Sequence, residues 1–397
     1  MKFKLSDKIS SISPSVTLEI TAKAKQMKND GIDVIGFGAG EPDFNTPKNI
    51  REAGIKSIEE GKTGYTAASG ILELKKAICN KFKNDNKLKY EPENIIVSSG
   101  AKHSLFNSLS AILNPGDEVI IPVPYWVSYP ELVKLADGTP IEVNTKEEND
   151  FKYTIKDLDD SLTNKTKAII LNSPSNPTGT AYTIEELKNI ADWAVKNSIF
   201  VISDEIYEKL IYDGYKHVSI ASLNEEIKYQ TIVINGMSKA YAMTGWRIGY
   251  TAAHKDIIGL MNNLQSHTTS NPSSVSQYAS LEGLNGDDKA IEEMKQHFVK
   301  RRDYMVDKIN SIDGLSCNKP KGAFYVMANI KNIKGKTISG IKIDSSIDLA
   351  NSLLEESHVA IIPGVAFGDD NYIRLSYATS MDNIKEGLNR IEKFITK

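Results

Sequence analysis

The chain has 397 residues, 40% hydrophobic and 25% charged, with a formal net charge of −3 and only two cysteines. This length asks for two domains, and a slightly acidic balance with scattered basic residues excludes nucleic acid and anionic membrane as main partners. Cys79 and Cys317 are too few for a disulfide framework or a zinc site, and six scattered histidines show no ligand spacing, so no metal is expected.

At the N-terminus, MKFKLSDKIS lacks the apolar core of a signal peptide, and no apolar run approaches the roughly 18 residues of a membrane span. A cytoplasmic protein is expected. The first 45 or so residues contain SPSVT and GFGAGEPDFNTP, rich in loop formers, which are expected to join a second domain or reach toward a partner subunit. From about Asn94 to Ala253, short apolar runs alternate with longer helical ones. NIIVSS reads as a strand, and AKHSLFNSLSAIL follows with Leu105, Leu109, Ile112 and Leu113 on one helical face. NPGDEVIIPVP is a turn feeding a strand; KTKAIILNS, IFVISDE, TIVING and WRIGYTAA are further strands. TIEELKNIADWAVKNS is a helix, with Thr183 and Glu186 placed as a capping box. This alternation predicts an α/β fold with a mainly parallel sheet covered by helices on both faces. After Leu284 a long charged helix leads into mixed strands and helices, read as a smaller α+β domain. The expected division is 46–285 for the large domain, and 1–45 with 286–397 for the small one.

Reactive residues collect at the carboxyl ends of the predicted strands, where open α/β sheets bind ligands. Ser98-Ser99-Gly100 ends one strand and Ala101-Lys102 opens a helix, whose N–H groups and dipole favour a phosphate. Asp204-Glu205 ends IFVIS; capping or ion pairing is the commoner use of such a carboxylate. NSPSNPTG reads locally as plain turn chemistry, and GFGAGEPD fails the dinucleotide fingerprint because Glu41 stands three residues after Gly38. In GMSKAYAMTGWRIGY, Lys239 sits among small residues, with Arg247 between Gly245 and Gly249. The set comprises an amine, a carboxylate, a phosphate cradle, an arginine and aromatics. Pyridoxal phosphate needs these: a lysine for its aldehyde, an acid for its ring nitrogen, and helix N–H groups with an arginine for its phosphate.

GAGEPDFNTP, GKTGYTAASGILELKKAI, PYWVSYPE, NSPSNPTG, SDEIYEKLIYDG, SKAYAMTGWRIGY, PKGAFYV and IRLSYA run in order along nearly the whole chain. In them the chain resembles the class I/II aminotransferases of pyridoxal-phosphate fold type I, nearest the bacterial aspartate enzymes of the thermophile type. The resemblance implies that Lys239 is the Schiff-base lysine and that Asp204 pairs with the pyridine nitrogen. It implies that Tyr207 and Asn176 bond the ring hydroxyl and that Trp126 stacks on the ring. Gly100, Ala101, Lys102, Ser238 and Arg247 would surround the phosphate, joined by Tyr65 of a second subunit in a homodimer with shared sites. Arg374 would clamp the substrate α-carboxylate with Asn176 and the Gly40 backbone, and Trp126 would also line the substrate side.

The implied reaction moves an amino group between an L-amino acid, aspartate first, and a 2-oxo acid, 2-oxoglutarate first. No match appears for the partner-subunit arginine that enteric and animal aspartate enzymes use for the distal carboxylate. Hydroxyls such as Ser15 and Thr17 and backbone N–H groups are the expected substitutes. Ser13 stands before Pro14, where prephenate-accepting relatives carry a basic residue, so prephenate is expected to be poor. An aromatic or alanine-type aminotransferase or a β-lyase on the same scaffold is the alternative, and a regulator built on this fold is a remote one.

Overall fold

The computed structural model describes residues 3–14 and 16–396. Strand β1 (Ile35–Gly36) precedes a seven-stranded sheet made of β2 (Ile95–Ser98), β3 (Glu118–Val123), β4 (Thr139–Asn144), β5 (Thr166–Asn172), β6 (Phe200–Asp204), β7 (Thr231–Gly236) and β8 (Gly249–Ala252). The order is β2-β8-β7-β6-β5-β3-β4; β8 runs antiparallel to both neighbours and the other pairings are parallel. A parallel strand with helices on both faces must be apolar on both, and alternate residues here enter different cores. Ala168 and Ile170 pack with Leu105, Leu109 and Met261, whereas Ile169 and Leu171 pack with Leu187, Ile190 and Trp193. Helix Ile184–Asn197 starts on the expected capping box: Glu186 N–H donates to Thr183 Oγ1 and Thr183 N–H donates to Glu186 Oε2.

Beyond helix Lys289–Ser311 come β9 (Tyr325–Asn329), a small hairpin of β10 (Thr337–Ile338) and β11 (Ile341–Lys342), then β12 (Val359–Ala360), β13 (Ile362–Pro363) and β14 (Tyr372–Ser376). An antiparallel three-stranded sheet has β14 between β13 and β9, with Ser376 opposite Tyr325 and Arg374 opposite Met327. Its core gathers Phe298, Phe324, Tyr377 and Phe394, contributed by helices Lys289–Ser311 and Met381–Ile395 and by the sheet's flanks. β1 pairs in parallel with β12, Ile35 opposite Val359, as a separate two-stranded sheet, and Ser376 N–H on β14 donates to the Phe37 carbonyl at 2.8 Å, which ties the N-terminal stretch to the small domain's sheet.

Two local expectations are corrected. The N-terminal segment, though rich in loop formers, is not loop throughout: Val16–Asn29, which begins within SPSVT, is a helix whose buried side faces β12 and β13. Arg247 does not open a strand. It adopts a left-handed conformation (φ 56°) after a short 3-10 turn, and β8 begins at Gly249.

Candidate active site

The carboxyl ends of β5, β6 and β7 open onto a cleft of about 540 Å³, closed on its other side by residues 38–41 and by β9 and β14. Lys239, Asp204, Tyr207, Asn176, Trp126, Ala101, Lys102, Ser238, Arg247, Gly40 and Arg374 all line it. The structure therefore brings together eleven of the thirteen residues singled out from sequence. Gly100 lies one residue behind the lining, and Tyr65 stands apart, 94% exposed on the loop before helix Leu72–Asn86.

One end of the cleft is built for an anion. Gly100 caps helix Ala101–Ile112 at φ 90°, and a Cβ there would collide with the Arg247 guanidinium. That is a backbone conformation essentially confined to glycine, and it lets the helix N–H groups and the arginine face one space. Gly249 is required for a related reason: a Cβ would strike the backbone of Gly100 and Ala101, so β8 can run against the cradle only without a side chain. Gly245 meets open space instead. Lys102 Nζ lies 5.0 Å from the Trp126 ring centroid, and burial, then Arg247, lowers its pKa.

The middle of the cleft holds opposed acid and base. Asp204 ends β6 with its carboxylate buried; burial raises its pKa to about 6, against the Tyr129 hydroxyl (2.7 Å) and Ile206 N–H (3.2 Å), which donate to it. Its neighbour Glu205 points away and takes the structural role expected of such carboxylates, accepting from Ser203 and Ser219 and pairing with His217 at 3.0 Å. Glu208 joins that cluster, already matched by Lys81 and by Asn86. Lys239 follows β7, and its Nζ donates to the Gly40 carbonyl at 2.5 Å. Burial, then the Arg374 and Arg247 charges, lowers its pKa to about 8, with Glu41 and Asp204 opposing.

Arg374 closes the far end. It is 2% exposed, donating from Nη1 to Asn176 Oδ1 and from Nη2 to the Gly38 carbonyl, both at 3.0 Å. Its guanidinium sits 4.5 Å from the Tyr325 ring centroid and 4.9 Å from that of Phe367, and its buried Nε has no partner. A buried cation with an unpaired donor calls for an anion.

The family model for aminotransferase class I and II matches residues 32–391. The chain belongs to that family. An aspartate aminotransferase of Bacillus sp. (strain YM-2) is 52% identical over 395 residues, covering 100% of both chains. A probable aspartate/prephenate aminotransferase of Rickettsia conorii is 48% identical and covers 98% of each. Among solved structures, the aspartate aminotransferase of Rhizobium meliloti superposes with a TM-score of 0.96, at 43% identity and 99% coverage of both chains. The aminotransferase uses pyridoxal 5′-phosphate, and the residues present fit that group. The Gly100 cradle faces Arg247, and a buried carboxylate, an amine of lowered pKa and the Arg374 clamp line the same cleft.

Sequence reasoning missed Tyr129 and Tyr325, both buried and both on the cleft. Each lies inside a motif that was read, PYWVSYPE and PKGAFYV, but their hydroxyl partners lie 75 and 118 residues away along the chain.

Proposed function

We propose that this aminotransferase moves the amino group of aspartate to 2-oxoglutarate and works as a cytoplasmic homodimer. The observation that carries the reading is Arg374: a buried guanidinium with a free Nε in the same cleft as Lys239 and Asp204. Backbone N–H of Gly100 and Ala101, with Lys102, Ser238 and Arg247, hold the cofactor phosphate. Asp204 would keep a proton on the ring nitrogen, Tyr207 and Asn176 would bond the ring hydroxyl, and Trp126 would offer its face to the ring. When bound, the cofactor supplies an aldehyde for the amino group and an electron sink for the charge left at Cα. Arg374, with Asn176 and the Gly40 backbone, holds the substrate α-carboxylate and so orients the Cα–H bond toward Lys239. Lys239 Nζ then takes the Cα proton, and its lowered pKa leaves more of it as free amine at neutral pH than an ordinary lysine has.

For the side chain, Thr17 Oγ1 is buried without a partner and lines the cleft, as Thr21 and Lys102 do. Ser15 lies outside the described residues. Hydrogen bonds to a charged group are worth roughly 1.5–3 kcal/mol each, so two of them favour aspartate over alanine by a hundredfold or more. Aromatic substrates are discriminated less sharply, since the described arginines on the cleft are Arg247 and Arg374 and no third is left unpaired.

A second subunit is supported by exposed apolar side chains: Tyr65, Phe3, Leu5, Ile55 and Ile58 are each more than half exposed in the single chain. In that dimer Tyr65 reaches the phosphate of the partner's site. The two unpaired cysteines, Cys79 and Cys317, suit a reducing compartment. We also propose the division into 46–285 and 1–45 with 286–397, supported by the two separate sheets with their own cores.

The test is kcat/KM for aspartate, glutamate, alanine, phenylalanine and tyrosine with 2-oxoglutarate, and for prephenate as amino acceptor. Aspartate should lead and prephenate should be poor, given the exposed Ser13 before Pro14. Alanine or phenylalanine above aspartate would overturn the specificity while leaving the family assignment standing.

A further inference from the structure

Tyr325 joins the two halves of the site. It sits on β9 of the small sheet and is fully buried, yet its hydroxyl meets that of Tyr207, which follows β6 of the large sheet, at 3.0 Å. Its ring lies against the Arg374 guanidinium on the neighbouring strand β14, 4.5 Å from the centroid. The two rings of the tyrosine pair meet edge to face, at 84° between planes. One residue thus touches both the side chain proposed for the cofactor hydroxyl and the one proposed for the substrate carboxylate.

Each hydroxyl has one hydrogen to give. If Tyr207 gave its hydrogen to Tyr325, it would have none for the cleft. Tyr325 has Tyr207 as its one hydroxyl partner among the described residues, and both tyrosines line the cleft. The Arg374 guanidinium, 4.5 Å from the Tyr325 ring centroid, draws electron density from that phenol and favours Tyr325 as the donor.

We propose that Tyr325 is a positioning residue: its hydroxyl donates to Tyr207 and turns the Tyr207 hydrogen into the cleft, while its ring sets the position of Arg374. The inference rests on the roles given above to Tyr207 and Arg374. A hydroxyl that receives a hydrogen bond is a stronger donor in turn, so the chain Tyr325 to Tyr207 to the cofactor's ring oxygen is cooperative. The ring, for its part, is a rigid floor under the guanidinium, and its removal leaves that cation without one of its two aromatic walls.

Two variants separate the hydroxyl from the ring. Tyr325→Phe keeps the ring, and Tyr325→Leu removes both. The measurements are the dissociation constant of cofactor from reconstituted apoenzyme, the pH midpoint of the bound cofactor's visible band, and the affinity of the loaded enzyme for the dicarboxylate maleate. In Tyr325→Phe the midpoint should rise by roughly half a pH unit and cofactor binding weaken about threefold to tenfold, with maleate affinity within about twofold of the parent. In Tyr325→Leu maleate should bind at least about fivefold more weakly as well. Tyr207→Phe is the control for the underlying reading. If it leaves the midpoint in place, the role of Tyr207 falls, and the inference with it. If Tyr207→Phe moves the midpoint and Tyr325→Phe does not, the inference alone is overturned. Equal loss of maleate affinity in Tyr325→Phe and Tyr325→Leu would also overturn it, because the ring would then have no separate part.

Discussion

The Tyr129 hydroxyl donates to Asp204 Oδ2 across 2.7 Å, and both groups are buried at the base of the cleft. Burial alone would push the carboxylic acid toward its neutral form, and it does raise the Asp204 pKa to about 6. Tyr129 opposes that rise by bonding the charged form, which is the form able to hold a protonated ring nitrogen. Asp204 and Tyr129 therefore form one unit.

Removing the Tyr129 hydroxyl should raise the Asp204 pKa further, since a donor to the carboxylate is lost. A hydrogen bond to a charged group is worth roughly 1.5–3 kcal/mol, and about 1.4 kcal/mol corresponds to one pKa unit. Tyr129→Phe is expected to move the acid limb of the kcat profile up by about one unit and to lower kcat about tenfold, with KM for the amino acid little changed. A pH–rate profile of parent and variant checks this. An unmoved acid limb would remove Tyr129 from the account.

Gly100→Ala tests the phosphate cradle. At φ 90° a side chain is strained, and the new methyl would push into the Arg247 guanidinium. The expected outcome is cofactor bound at least about tenfold more weakly, as an arginine–phosphate contact worth roughly 1.5–3 kcal/mol is disturbed, with a lower Tm. Titration of apoenzyme with pyridoxal phosphate, followed by its absorbance, gives the number.

Lys239 carries a pH signature of its own. Burial and two arginine charges place its pKa at about 8, below the ordinary lysine value. A depressed pKa means the free amine appears as pH rises through 8, rather than through 10.5. At neutral pH a far larger share of the molecules therefore holds a free amine than an unperturbed lysine would. The rate at which apoenzyme captures the cofactor aldehyde should therefore rise with pH and level off above about 8. A rate still climbing steeply at pH 10 would contradict the electrostatics of the cleft.

What the sequence made legible was mostly local. The strand end at Ser98 and the helix start at Ala101 follow from an apolar run meeting a glycine, and the box at Thr183 and Glu186 was visible three residues apart. Asp204 and Glu205 are neighbours with the same chemistry, and nothing local says which one faces the cleft. The motif resemblance alone points to Asp204. Helix Val16–Asn29 was hidden because SPSVT reads as loop and the following residues are rich in lysine, with its apolar side completed only by β12 and β13, more than 300 residues later. Arg247 was expected to open a strand because WRIGY is apolar and aromatic. It instead ends the 3-10 turn in a left-handed conformation, its Nη1 donating to the Thr244 carbonyl and its guanidinium lying where a Gly100 side chain would stand. Tyr129 and Tyr325 act through partners far along the chain, and composition or periodicity cannot reveal such a pairing.

Lys239 is the residue proposed to bond the cofactor and move the proton. Borohydride reduction of the loaded protein, followed by proteolysis and peptide mapping, tests it most directly. A stable pyridoxyl label should appear on the peptide containing Ser238-Lys239-Ala240, and Lys239→Ala should lose both the label and the lysine-bound visible absorbance. A label on Lys102 or any other lysine of the intact protein would contradict it.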